Sequence, residues 1–127
     1  MREIEFRAKK LNSFDWIYGY LCNDYLSGEL FIQHKISDTE FPKWKATLIF
    51  EDTIGQYTGL KDKNGVKIFE GDIFMENVDF NERYLVYWNG LDCGFIGLKM
   101  KDNFNSLDLM QLIDNGYICG NIHDAKE

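Results

Sequence analysis

The sequence predicts a mainly β protein: a small barrel or curled antiparallel sheet, with additional N-terminal strands and one short helix. Three observations carry this. Short runs rich in aromatic and β-branched residues recur at roughly ten-residue spacing, the pattern of small all-β folds rather than of βαβ units. Turn signals punctuate the runs, most densely in residues 55–72, GQYTGLKDKNGVKIFEGD, which hold four of the chain's 11 glycines. Aromatic residues make up 16% of the 127 positions, with ten Phe, seven Tyr and three Trp, and aromatics favour strands.

The elements follow in order. Residues 2–8 alternate, with Ile4, Phe6 and Ala8 on one side and Glu3, Glu5 and Arg7 on the other, which predicts a half-buried strand. Residues 9–13 read as a turn. Residues 14–21, FDWIYGYL, predict a second strand, in which Gly19 marks a bulge or a close backbone approach. Residues 29–34 predict a third. Residues 35–47 read as a surface loop that carries Trp44, since Pro42 holds Phe41 extended and the charge is mixed. Residues 47–50 and 54–58 are short strands. Asp62-Lys63-Asn64-Gly65 is a tight turn, because Asn-Gly tolerates positive φ at little cost. Glu70-Gly71-Asp72 is a second corner. Strands follow at 73–75, 83–88, 94–100 and 117–122. Between the last two, Asn105 and Asp108 resemble a capping box, and Leu109, Met110, Leu112 and Ile113 supply an apolar stripe that Asn115-Gly116 ends. This predicts a helix of about two turns near 105–115, too short to stand without tertiary support.

Charge and cysteine content bound the functional classes. The formal net charge is −7, yet residues 1–47 carry seven acidic and seven basic side chains, so the whole excess lies beyond them. No basic tract exists to neutralise a phosphate backbone, which disfavours general DNA binding. Cys22, Cys93 and Cys119 are widely spaced and odd in number, as expected of buried thiols in a reducing compartment. No run approaches the ~18 apolar residues of a membrane span, and the charged start lacks an apolar segment of signal length. The expectation is a soluble, cytoplasmic protein that acts inside the cell that makes it, with no membrane contact.

Four blocks then carry a family likeness: REIEFRA at 2–8, WIYGYL at 16–21, GQYTGLKDKNGVKIFEGDIF at 55–74 and CGNIHD at 119–124. In order and spacing the chain resembles the YopX family, small proteins encoded mostly by bacteriophages and prophages. The resemblance implies an SH3-like small barrel in the C-terminal half. It carries over no catalytic residue and no cofactor. The expected layout is an N-terminal strand region, residues 1–53, packed on a barrel region, residues 54–127. Two departures from the family pattern are His123, where an aromatic is common, and the segment 77–81.

With Asp62 as the first position of a calcium loop, the twelfth is Ile73 rather than glutamate, so that reading fails. Gly55, Gly59, Gly65 and Gly71 lack the Gly-Lys-Ser/Thr ending and the following helix of a phosphate loop. Gly59, Asp62, Asn64, Gly65, Gly71 and Asp72 are therefore assigned to structural turns. His34 and His123 have no ligand at close metal spacing. What remains is the aromatic surface, and Trp16, Tyr18, Trp44, Tyr57 and Tyr87 are the candidate partner-binding residues. The leading expectation is a non-enzymatic, phage-type accessory protein without a cofactor. It would act through self-assembly as a homo-oligomer or through a host or phage protein. The alternative is a nucleic-acid-binding module using Arg7, Lys9, Lys10, Trp16 and Tyr18, and a hydrolase-like enzyme stands third.

Overall fold

The computed structural model describes residues 4–36, 43–76, 83–89, 94–100, 106–108 and 116–124. Every strand pairing given below is antiparallel, and the chain divides into two compact units, Met1–Tyr57 and Thr58–Glu127.

In the first unit β1 (Phe6–Lys9), β2 (Trp16–Asn23), β3 (Leu30–Lys35), β4 (Trp44–Leu48) and the start of β5 (Gly55–Lys61) lie in the order β4-β3-β2-β1-β5. The register sets Ala8 opposite Ile17 and Leu21 opposite Ile32. Side chains alternate between faces along a strand, so these apolar residues gather on one side. Ala8, Ile17, Ile32 and Ile49 form the buried core there, with Phe6, Leu21, Leu30 and Ile54 packed against it. Complete burial of one such isoleucine is worth roughly 1.5–3 kcal/mol, so the unit rests on a few side chains. Gly19 is a point of close approach: a Cβ there would run into the Gln33 carbonyl oxygen and the Ile32 side chain. A 3-10 turn, Glu51–Thr53, is fastened to β1 through Thr53, whose hydroxyl accepts the Lys9 N–H at 2.8 Å and donates to the Phe50 carbonyl at 2.6 Å.

In the second unit the end of β5 neighbours β6 (Lys67–Phe69). The strands β7 (Asp72–Glu76), β8 (Arg83–Asn89), β9 (Gly94–Lys99), β10 (Ser106–Asp108) and β11 (Gly116–Asn121) form a sheet in the order β10-β9-β8-β7-β11. Ile68, Phe74, Tyr84 and Val86 are its buried centre, with Leu60, Phe95 and Ile118 against them. The Asp62–Gly65 turn is closed by Gly65 N–H to the Asp62 carbonyl at 3.0 Å, and Gly65 takes φ +83°, where a side chain would crowd the backbone. Gly59 and Gly71 have φ +89° and +95°. Asp62 is buried, and its carboxylate accepts the N–H groups of Asn64 at 2.8 Å, Val66 at 2.9 Å and Ile118 at 2.9 Å. Asp72, also buried, accepts the Phe69 N–H at 2.7 Å.

Three expectations are corrected. The stretch 35–47 is not all loop, because Trp44–Leu48 forms β4 along β3, with Lys35 opposite Trp44 and Phe31 opposite Leu48. The ladder supplies hydrogen bonds that the local sequence does not announce. The expected helix near 105–115 begins as a strand: Ser106, Leu107 and Asp108 pair with Leu98, Gly97 and Ile96, and residues 109–115 lie outside the described ones. A two-turn helix is marginal alone, and the available strand edge wins over the capping motif. The second sheet, finally, is open among the described residues, with β10 and β11 at its two ends rather than joined into a barrel. The segment 77–81 and Cys93 lie outside the described residues.

Candidate functional site

The face of the first sheet opposite the Ala8–Ile17–Ile32 core is aromatic and cationic. Residues directly opposite on paired strands share a face. Arg7 pairs with Tyr18, Lys9 with Trp16, Tyr20 with Gln33 and Lys35 with Trp44, which places all eight on this side. The guanidinium carbon of Arg7 lies 4.3 Å from the centre of the Trp16 ring, and the Lys9 ammonium 4.5 Å from it. Lys9 also sits 4.7 Å from the Phe14 ring, which in turn meets Phe50 edge-on at 5.5 Å. Phe14 holds φ +59°, a conformation uncommon outside glycine. Further along, Tyr20 and Trp44 are 6.0 Å apart between ring centres, and the Lys35 ammonium is 5.8 Å from the Trp44 ring. Such cation–ring pairs are worth roughly 0.5–2 kcal/mol, more where water is excluded.

On this face lies an open groove of about 760 Å³, whose lining among the described residues includes Trp16, Tyr18, Tyr20 and Trp44, with Lys10, Lys35 and Glu5. A groove of that size is within the range that holds a small ligand or a few side chains of a partner. Tyr18, Tyr20 and Trp44 are each about half exposed, so their rings offer large contact area with little entropy to lose.

Of the five aromatic residues singled out in the sequence, the structure brings three together: Trp16, Tyr18 and Trp44. Tyr57 is corrected, since it is buried at 5% exposure with its N–H donated to the Glu5 carbonyl at 2.8 Å. Tyr87 stands half-buried on β8 in the second unit and is not among the residues that line the groove. The cations proposed for phosphate contacts are also placed differently from expectation. Arg7 and Lys9 are each 5% exposed, and only Lys10 is partly open. Tyr20 and Lys35 were missed. The signal for Tyr20 was present in the period of two that runs Trp16, Tyr18, Tyr20.

No group of three or more His, Cys, Asp or Glu among the described residues is arranged to hold a metal ion. The His34 imidazole lies 3.3 Å from the Thr47 hydroxyl, and Cys22 and Cys119 are free thiols. No helix among the described residues is long and apolar enough to cross a membrane.

Comparison with known proteins agrees with this architecture. Residues 5–127 match the family model described as YopX protein. The fold is similar to the crystal structure of protein EF1440 from Enterococcus faecalis, with a TM-score of 0.60 and 23% identity over 98% of this chain and 96% of that one. At that identity the likeness is one of fold. No curated protein matches the chain.

Proposed function

The chain belongs to the YopX family, and from that premise we propose that it is a non-catalytic binding protein that works by taking a protein segment onto the aromatic groove of its N-terminal sheet. The groove is the observation that carries this reading. Trp16, Tyr18, Tyr20 and Trp44 converge on one space with lysines at its border, and interfaces are enriched in such aromatic anchors. The nucleic-acid alternative uses the same rings but needs cations at the surface. Burial of Arg7 and Lys9 against Trp16 and Phe14 withdraws two of its three, and the net charge of −7 opposes a polyanion.

The rest of the reading rests on the family resemblance. A phage-type accessory role in the bacterial host cytoplasm follows from it, as does an SH3-like character for the second unit, for which the sharply turned antiparallel strands are the support. The test is an affinity pulldown from induced host cells with the wild type and with Tyr20→Ala/Trp44→Ala. A partner captured by the first and lost by the second is the expected result. A capture unaffected by both substitutions refutes the groove, as does binding of a single-stranded oligonucleotide at micromolar protein that weakens steeply with salt.

A further inference from the structure

The apolar side of the first sheet turns polar at one end. Ala8, Ile32 and Ile49 are buried in the core, and two positions further along the same side stand Lys10 after Ala8 and His34 after Ile32. Thr47 and Lys45 precede Ile49 at the same period. The pairings agree, since Lys10 bridges Ile49, Ile32 stands opposite Thr47, and His34 stands opposite Lys45. Polar side chains in a row that otherwise builds the core call for a reason beyond folding. Cross-strand neighbours favour opposite charges, yet Lys45 faces an imidazole.

The backbone opens a space beside this row. The Leu11 N–H donates to the Leu48 carbonyl at 3.1 Å and the Phe50 N–H to the Lys9 carbonyl at 2.9 Å, which ties residues 48–50 to the chain leaving β1. That chain then turns back: the Lys10 N–H donates to the Asp15 carbonyl, and the Lys10 carbonyl accepts the Phe14 N–H, each at 2.9 Å. A pocket of about 330 Å³ is left along β4, lined by Lys10, His34, Lys45, Ala46 and Thr47. The Asp15 carboxylate is not among the groups that line it. Alternate residues of a strand turn their N–H and C=O to the same edge. Leu48 turns its carbonyl to Leu11, so Ala46 presents its N–H on that side.

We propose that this pocket binds a phosphate monoester of a small molecule. Two ammonium groups, a hydroxyl and a backbone N–H approach from separate segments, which suits the three terminal oxygens of a tetrahedral dianion better than a planar carboxylate. The His34 Nε2 lies 3.3 Å from the Thr47 hydroxyl. In the occupied site the imidazole donates to that oxygen and frees the hydroxyl proton for the ligand. Leu11 and Leu48, 48% and 43% exposed, line the same pocket and give the organic part an apolar wall. The site is independent of the groove: Lys10 and His34 border both spaces, whereas Lys45 and Thr47 line this one and not the groove.

The experiment follows the Ala46 and Leu11 amide resonances of the isotope-labelled full chain. The probes are phenyl phosphate, inorganic phosphate, and sodium chloride at matched ionic strength. Wild type is compared with Lys45→Gln and Lys10→Gln/Lys45→Gln, each checked for native strand content by circular dichroism. Lys45 is exposed, so its replacement leaves the fold in place. Phenyl phosphate should saturate the wild type with a Kd on the order of 1 mM or tighter, and inorganic phosphate should bind more weakly. Each lysine removed should weaken binding roughly five- to tenfold.

Shifts that sodium chloride reproduces, or that fail to saturate, overturn the proposal. So does unchanged affinity in Lys45→Gln. Loss of binding in Tyr20→Ala/Trp44→Ala, with Lys45→Gln unaffected, moves the ester to the groove and overturns the site. A wild type that binds phosphatidic acid vesicles but not phenyl phosphate assigns the phosphate to lipid and overturns the small-molecule ligand.

Discussion

Replacing Asp62 by alanine should strike the second unit harder than any other single change in the turn 62–65. The carboxylate accepts three backbone N–H groups, from Asn64 at 2.8 Å, Val66 at 2.9 Å and Ile118 at 2.9 Å. The first two close the turn on itself. The third reaches 56 residues along the chain to β11. A hydrogen bond to a charged acceptor contributes about 1.5–3 kcal/mol net, but the three are not equal. Asn64 and Val66 are exposed, so water can replace most of what their N–H groups lose, whereas Ile118 is half-buried and packed on the core. About 2–3 kcal/mol for Ile118 and ~0.5–1 for each of the others give a loss of roughly 3–5 kcal/mol. Against a typical stability of 5–15 kcal/mol, that is a large share. Asp62→Asn should lose about half as much, since one carbonyl oxygen still accepts while the new NH2 group faces a donor. Urea unfolding followed by circular dichroism measures the first quantity, and amide exchange at Ile118 measures where the loss falls. A destabilisation under about 1 kcal/mol, with Ile118 still protected, would refute the reasoning.

Three further outcomes follow from named contacts. Gly65→Val should destabilise by roughly 1–2 kcal/mol through its φ of +83° alone, because a Cβ there has no neighbour within 4 Å, while Gly65→Asn should be far milder; unchanged melting of the valine variant would show that this conformation is not required. Thr53→Val keeps the shape but strips the buried Lys9 N–H of its acceptor, for a loss of about 1–3 kcal/mol that Thr53→Ser should largely avoid; equal thermal midpoints for wild type and the valine variant would contradict this. The carboxyl of Asp24 is held below the ordinary carboxylate range by the N–H groups of Leu26 and then Ser27, with the Ser27 hydroxyl adding to them. Because the folded value is the depressed one, the order of the loop is complete above the unfolded pKa and is lost as pH falls through the folded one. The Leu26 and Ser27 amide resonances should therefore titrate with a midpoint below that of an unstructured aspartate, and should not do so in Asp24→Asn.

Legibility in the sequence tracked the range of the forces involved. The Asp-Lys-Asn-Gly turn was legible because its cause is local: a residue at positive φ and a carboxylate beside its own backbone. The strand β2 was legible for a similar reason, as a short run dense in aromatics. Trp44 was read as a loop residue because β4 exists only where β3 offers it a ladder. The capping pattern at Asn105 and Asp108 misled because a cap worth about 1 kcal/mol competes poorly with the pairing of residues 106–108 to β9. Burial of Arg7 and Lys9 could not be read either. A cation in an alternating strand looks solvated until its ring partners, supplied here by Trp16 and Phe14, are known.

The distribution of roles between the two halves has a consequence for where function can reside. In the block 55–72, three glycines, two aspartates and one threonine are occupied by backbone work. Gly59, Gly65 and Gly71 supply positive φ. Asp62 and Asp72 are buried and hold N–H groups of Asn64, Val66, Ile118 and Phe69. The hydroxyl of Thr58 donates to the Ile68 carbonyl at 2.8 Å and accepts the Leu60 N–H at 3.2 Å. Removing the Asp62 carboxylate unpairs three backbone N–H groups, and removing that of Asp72 unpairs the Phe69 N–H. Substitutions in this block should therefore lower stability and binding together, through folding. Substitutions at Tyr20 and Trp44 should lower binding while leaving the melting temperature nearly unchanged, since both rings are about half exposed. If a folded, normally stable variant at Asp62 or Asp72 lost partner binding, the corner would be a recognition site after all, and the groove would lose its standing as the working surface.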